Sequence, residues 1–373
     1  EMKGWKTSFG INGMQQNNTN KGVEQLIPDY NLFDFGIYAF SQKTIKKLTV
    51  SGGVRFDNRN INAENLLDGI SIKGDAFKKS FSNVSGSIGL AAQVTNAVNL
   101  KFNIARGFRA PSIPELASNG AHEGTIRYEY GNSNLKSETS LQFDGGVEYS
   151  ADHLSIGLSA FYNSFNNFIF YRKLEAAAGG DSLVNVNGDL LTGFKFDQTK
   201  ATLTGLEATV DIHPHPLDWL HILNTFSMVS GQLRTPIEGN KFLPFIPASK
   251  LVTEFKGSFN KVTNNIRNGY VKFEVDNTFS KKNVFTTYNT ETQTSGYTLL
   301  NAGLGADIVN KKNQTLFSLS FSALNIGDVA YQNHLSRLKY AAENVATGRS
   351  GVFNMGRNFS IKLNVPLAVN LKK

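Results

Sequence analysis

The chain contains no cysteine in its 373 residues, which excludes disulfide frameworks and thiolate metal sites. It has only 9 prolines. Those that cluster, Pro111-Ser112-Ile113-Pro114 and His213-Pro214-His215-Pro216, fall in expected connections, so no proline-rich linker divides the chain. No run of about 18 apolar residues occurs, which excludes a transmembrane helix. No long stretch has apolar residues at helical spacing; the best short candidate is a single turn at Pro114–Ser118. Catalytic patterns are missing too. There is no glycine-rich phosphate loop after a strand, no His-Glu-x-x-His and no Gly-x-Ser-x-Gly. No catalytic residue is assigned, and the expectation is a binding or transport protein rather than an enzyme. The chain opens on Glu1-Met2-Lys3-Gly4-Trp5 without a signal peptide, so the natural N-terminus is expected upstream.

What is present is alternation with period two. Leu48, Val50, Val54 and Phe56 alternate with Thr49, Ser51 and Arg55. Val98, Leu100, Phe102 and Ile104 alternate with Asn99, Lys101 and Asn103, and Phe359, Ile361 and Leu363 with Ser360 and Lys362. One face of each strand is oily and the other polar. A composition of 40% apolar and 18% charged residues fits a soluble domain or a membrane barrel, because only alternate residues of a barrel strand meet lipid. The net charge of +8 is scattered, with lysine doublets such as Lys46-Lys47 and Lys311-Lys312 in turns. This reads as solvated turns near an anionic surface, with no nucleic-acid partner.

The pattern predicts about 14 strands, from 4–14 to 354–367. Long connections fall near 15–30, 59–79, 109–137, 172–199, 232–248, 281–296 and 326–353. Short ones fall near 42–45, 96, 151–152, 214–217, 261–267 and 310–314. The strict alternation of lengths is what an antiparallel up-and-down barrel produces, with long loops on the outer rim and short turns on the periplasmic rim. A Greek-key sandwich has no reason to sort its loops this way. Many of the 28 Phe and 12 Tyr lie near strand ends, among them Tyr38, Phe40, Phe56, Phe108, Tyr149, Tyr162, Phe279 and Tyr297, as expected of interfacial girdles. Leu203 falls out of phase with Leu206, Ala208, Val210 and Ile212, and a bulge at Gly205 is expected there. The fold class is all-β, a transmembrane antiparallel barrel formed over residues 1–373.

Two segments carry a family resemblance. The first joins Phe108-Arg109-Ala110-Pro111 to Gly131-Asn132-Ser133-Asn134-Leu135-Lys136-Ser137-Glu138. It resembles the signature of TonB-dependent outer-membrane receptors, departing at Ser133 where the family usually has proline. The second, Asn325-Ile326-Gly327-Asp328-Val329-Ala330-Tyr331, resembles the family's Asn-Leu-x-Asp-x-x-Tyr box, and Gly356-Arg357 resembles the opening of its last strand. The resemblance implies a barrel of ~22 strands filled by an N-terminal plug, so this chain would be its C-terminal part. It implies a location in the outer membrane of a Gram-negative bacterium, among lipid and lipopolysaccharide. Energy would come from the TonB-ExbB-ExbD complex through the part not present here.

The resemblance implies uptake of a scarce metal complex, a ferric siderophore first, with haem or zinc next. These are cargo, and no cofactor is implied. A passive diffusion porin is the rival from another class. Candidate ligand-binding residues are His122, Glu123, Arg127, Tyr128, Tyr130 and His334. His122 is the metal candidate, because haem receptors of the family place a histidine between similar boxes. Members linked to zinc uptake resemble the Asn119-Gly120-x-His122 and Tyr331-x-x-His334 stretches. For a siderophore, Arg127-Tyr128-Glu129-Tyr130 and the aromatic-basic end of Phe165–Lys173 offer rings and cations against an anionic chelate. The His213-x-His215 pair has ligand-like spacing, but in a short periplasmic turn it is read as structural.

Overall fold

The computed structural model describes residues 4–22, 24–122 and 127–367. Its long strands are β1 (Trp5–Asn18), β2 (Tyr30–Ile45), β3 (Leu48–Ala63), β4 (Phe77–Gln93), β5 (Val98–Arg109), β6 (Glu138–Ala151) and β7 (Leu154–Lys173). They continue as β8 (Asp189–Ile212), β9 (Leu220–Ile237), β10 (Lys250–Lys261), β11 (Ile266–Thr278), β12 (Tyr297–Val309), β13 (Thr315–Leu324) and β14 (Asn358–Asn364). Each pairs antiparallel with the next in the chain. The result is the expected up-and-down meander. Among the described residues β1 pairs only with β2 and β14 only with β13, so the sheet ends in two open edges. Unpaired edges are costly, and this arrangement is that of part of a barrel.

Register explains the alternation. Ile11, Ile37, Phe56 and Val84 form one cross-strand row. Ile88, Ile104, Phe143 and Tyr162 form another on the same face. These side chains are exposed, Phe9 and Ile11 by 83% and 74%. So continuous an apolar belt is the lipid surface of a membrane barrel. The opposite face carries Asn12, Asp57, Asn103 and Asp144. Tyr38 and Phe40 also take this face, lying over Gly10 and Gly53, where a Cβ would meet their rings. Tyr297 likewise turns inward and meets the Tyr331 ring at a tilt, centroids 4.4 Å apart. These three are therefore not girdle residues.

The connections sort as expected. Short turns at 46–47, 94–97, 152–153, 213–219, 262–265 and 310–314 share one rim. Long loops at 19–29, 64–76, 110–137, 174–188, 238–249, 279–296 and 325–357 share the other. The expected bulge at Gly205 is absent: β8 runs in unbroken register there against both neighbours. Leu203 breaks phase because it turns inward to an apolar cluster with Leu233, Leu243 and Phe285. Gly205 instead makes room for the Phe161 ring, which a Cβ would strike.

The register shift falls higher, between Phe165 and Phe168 of β7. There Asn167 takes a positive φ of 55°, a conformation asparagine tolerates. Above it the ribbon from Phe168 to Lys173, paired with Phe194 to Thr199, is covered on both sides. Ile169 packs into a cluster with Leu32, Ile61, Phe81 and Leu116. Phe170 meets Phe285 of the other cluster edge-on at 6.3 Å. The core of the described structure thus lies among the loops, where a ribbon separates two apolar clusters.

Candidate functional site

The 110–137 loop is tied down from both ends. Ser112 and Pro114 start the one described α-helix, α1 (Ile113–Ala117). Its capping box joins Glu115 to the Ser112 backbone N–H at 2.7 Å and the Glu115 N–H to the Ser112 hydroxyl at 3.4 Å. Such a box satisfies helix donors that would otherwise be unpaired. Arg109 grips Glu115 with two bonds of 2.8 Å and reaches Glu138 at 3.4 Å. Glu138 also accepts the N–H of Ile169 at 2.8 Å, which anchors the ribbon. Ala110, Pro111 and Leu135 are buried against α1. Gly131 passes so close that a Cβ would collide with the backbone of Leu116, Ala117 and Ser118. The Asn132 N–H donates to Glu115 O at 2.8 Å, and the Asn132 side chain receives the Asn134 N–H at 3.0 Å. Every polar group of Phe108-Arg109-Ala110-Pro111…Glu138 that is named here holds the loop.

The second box does similar work. Asn325 and Asp328 adopt positive φ of 49° and 52°. The Asn325 side chain bonds both backbone groups of Val329 at 2.9 Å. Asp328 accepts the Arg357 N–H at 2.9 Å, and a Cβ on Gly356 would press on its carboxylate. Burial raises the pKa of Tyr331 above its ordinary value. Asn325, Asp328, Gly356 and Arg357 therefore close the last loop onto the sheet.

The candidate ligand residues sit on a small hairpin, Asn119–His122 with Arg127–Tyr130, whose second arm adds parallel to β8 at Thr192–Lys195. His122 Nδ1 meets Glu129 Oε1 at 2.9 Å. Arg127 Nε donates to the same oxygen at 2.5 Å. Glu129 is buried, and the Arg127 guanidinium and the His122 imidazole both meet its desolvated carboxylate. Tyr128 is buried and donates to Asn119 at 2.8 Å. Burial raises the pKa of Tyr128 and of Tyr130. Tyr128 lines a cavity of about 480 Å³ with Glu24, Asp68 and Lys73. Glu123 lies outside the described residues. His334 is buried rather than presented to a ligand: Nδ1 pairs with Thr294 at 2.9 Å and Nε2 faces Glu291 at 3.5 Å. No described group of three metal-ligating side chains contains His122 or His334.

Sequence reasoning missed the feature that ties these loops together. The guanidinium of Arg127 lies 4.6 Å from the ring centre of Tyr171. Arg337 lies 5.0 Å from the same ring and 3.4 Å from that of Phe245, and donates to the Tyr171 hydroxyl. Tyr171 and Phe245 stack at 4.6 Å, with Phe194 and Phe196 edge-on at 5.8 and 5.9 Å. Among the described residues Arg337 forms no ion pair. Burial first, and then Arg127, depress its pKa. Two like charges thus lie over one aromatic box, Arg127 paired with Glu129 and Arg337 without a contact ion pair among the described residues, an arrangement whose chemistry suits a flat or anionic group. The Phe165–Lys173 stretch and Arg127 were visible in sequence, but nothing there joined them to Arg337 and Phe245.

A family model described as TonB dependent receptor-like, beta-barrel, matches residues 4–326. The ferric enterobactin receptor of Pseudomonas aeruginosa is 33% identical over 144 residues, 35% of this chain and 18% of that receptor. The TonB-dependent heme receptor A of Haemophilus ducreyi is 27% identical over 186 residues, 48% of this chain and 24% of that protein. The solved structure of the copper transporter OprC matches 98% of this chain and 55% of its own at a TM-score of 0.74 and 15% identity. The chain thus spans about half the length of that structure and a smaller share of the two relatives.

Proposed function

This chain belongs to the TonB-dependent receptor-like β-barrel family, and from that premise we propose that it is the C-terminal barrel part of an outer-membrane receptor that takes up a ferric siderophore. The long-loop rim faces outward and the 213–219 side faces the periplasm. Residues 1–373 form one barrel domain of that receptor. A plug and a TonB-gripped segment in the rest of the protein couple it to TonB, ExbB and ExbD. Lipid and lipopolysaccharide cover the apolar belt.

The observation that supports this cargo is the Arg127–Tyr171–Arg337 box. A ferric siderophore fills its own coordination sphere, so the receptor need offer no metal ligand. It needs rings and cations against an anionic chelate, which the box provides. Haem or zinc is the second reading, favoured by the His122–Glu129 pair at 2.9 Å. The family signature favours a plugged receptor over a porin, and the full-length receptor is expected to be silent in single-channel recordings.

The test is binding of a radioiron-labelled anionic ferric catecholate, and of a neutral ferric hydroxamate, to the full-length receptor and its Arg337→Ala variant. A charge-assisted hydrogen bond contributes about 1.5–3 kcal/mol. The catecholate should therefore lose roughly tenfold or more in affinity, and the neutral chelate little. Unchanged catecholate affinity would sink this assignment.

A further inference from the structure

Four of the chain's 6 histidines gather on the short-turn rim, far along the barrel from the loop box: His153, His213, His215 and His221. The sequence spacing suggests His213 with His215, but the fold selects a different pair. β8 and β9 are in register to Ile212 opposite Ile222. One step further sets His213 beside His221, with ring centres 4.3 Å apart. Asp211 precedes His213 by two residues and so shares its face of the strand. Its Oδ2 meets His213 Nε2 at 2.9 Å. The ligating atoms of Asp211, His213 and His221 all lie within 4.8 Å of one another.

Two further observations point to a missing ligand. Asp211 Oδ1 is buried and has no hydrogen-bond partner. Among the described residues the His221 imidazole makes no hydrogen bond, although its ring is half-buried. A buried carboxylate oxygen without a partner is costly and requires an explanation. The backbone is already braced, since the His213 N–H donates to the carbonyl of His153 at 2.9 Å.

We propose that Asp211, His213 and His221 form a binding site for a single borderline divalent cation of the zinc class, on the inner face of the barrel at its periplasmic end. Two imidazoles and a carboxylate are a common zinc donor set that leaves the fourth position open. Donor atoms around a tetrahedral zinc lie roughly 3.3 Å apart. The triad, with its donors already within 4.8 Å of one another, has to close by little more than about 1 Å to reach that spacing. In the metal-free state His213 donates from Nε2 to Asp211. Ligation through Nε2 moves that proton to Nδ1 or to solvent, and the cation then takes the carboxylate that the imidazole held. The site is independent of the cargo box.

The experiment is zinc titration calorimetry on the full-length receptor without a histidine tag, with cobalt absorption as a second readout. Unaltered protein should bind one zinc ion per receptor, and cobalt should give the intense visible bands of a low-coordinate site. His221→Ala should weaken zinc binding at least tenfold and erase those bands. Asp211→Asn should do the same, and both variants should keep the thermal midpoint of the metal-free protein. A control with His215→Ala should bind zinc as before. The proposal is overturned if no zinc binds at 100 micromolar, or if the control loses the site while His221→Ala retains it.

Discussion

Arg109 and Arg337 are both arginines at the long-loop rim, and they do opposite things. Arg109 has two carboxylates, Glu115 and Glu138, and through them holds α1 and the ribbon. Arg337 makes no contact ion pair among the described residues, feels Glu291 only at longer range, and rests on the Tyr171 and Phe245 rings. The first lies in the segment that carries the sequence resemblance to the family; the second lies in none of the boxes read from the sequence. A motif whose charges are all spent on each other builds a scaffold. Under the proposed function, binding is expected where a cation has no contact ion pair, because there a ligand has most to gain over water.

The largest effect that would break this contrast lies at Gly131. Gly131→Val drives a side chain into the α1 backbone, and overpacking costs about 1–3 kcal/mol or occasionally more. The thermal midpoint of the receptor should fall clearly, while Gly145→Ala, which meets nothing within 4 Å, should leave it in place. Equal melting of the two would mean the signature loop is not the scaffold described here. Next comes the pair of arginines. Arg109→Ala should cost about 1 kcal/mol of stability, since its carboxylates keep their backbone donors, and should leave siderophore affinity unchanged in the folded fraction. Arg337→Ala should do the reverse, with a tenfold or greater loss of affinity and a flat or raised midpoint. Chemical denaturation and ligand titration on the same samples would expose any mixing of the two roles.

How far the sequence led can be told from particular elements. The strands were legible because lipid on one side and polar groups on the other force period two, and β12 begins and ends where the pattern places it. The loop lengths were legible because an up-and-down meander must sort them. The α1 turn showed as the short stretch Pro114–Ser118, although the Ser112–Glu115 capping box that starts it was not read from the sequence. Leu203 misled because a residue facing an inner apolar cluster looks like a slipped strand. The ribbon was hidden for the same reason: with both faces covered, Ile169 and Phe170 are both apolar and no alternation survives. The box was out of reach, since Arg337 and Tyr171 are separated by 166 residues and each is ordinary in its own segment.

Smaller effects sharpen the contrast. Ser112→Ala removes an N-cap whose bond is already long at 3.4 Å, so about 0.5 kcal/mol of stability should go, within the resolution of a careful urea series. His122→Ala should do least to a siderophore receptor. Its imidazole shares Glu129 with Arg127, and the arginine alone can hold that carboxylate. Ferric siderophore affinity should stay within about twofold, a difference of roughly 0.4 kcal/mol. Haem or zinc would behave otherwise, because a coordinating imidazole has no substitute nearby among the described residues. Competition binding of the catecholate chelate, haem and zinc to this variant, in a His221→Ala background that removes the rim cation site, therefore separates the cargo classes. Loss confined to haem or zinc would move the ligand from the arginine box to the hairpin, and equal loss of all three would make His122 another member of the scaffold.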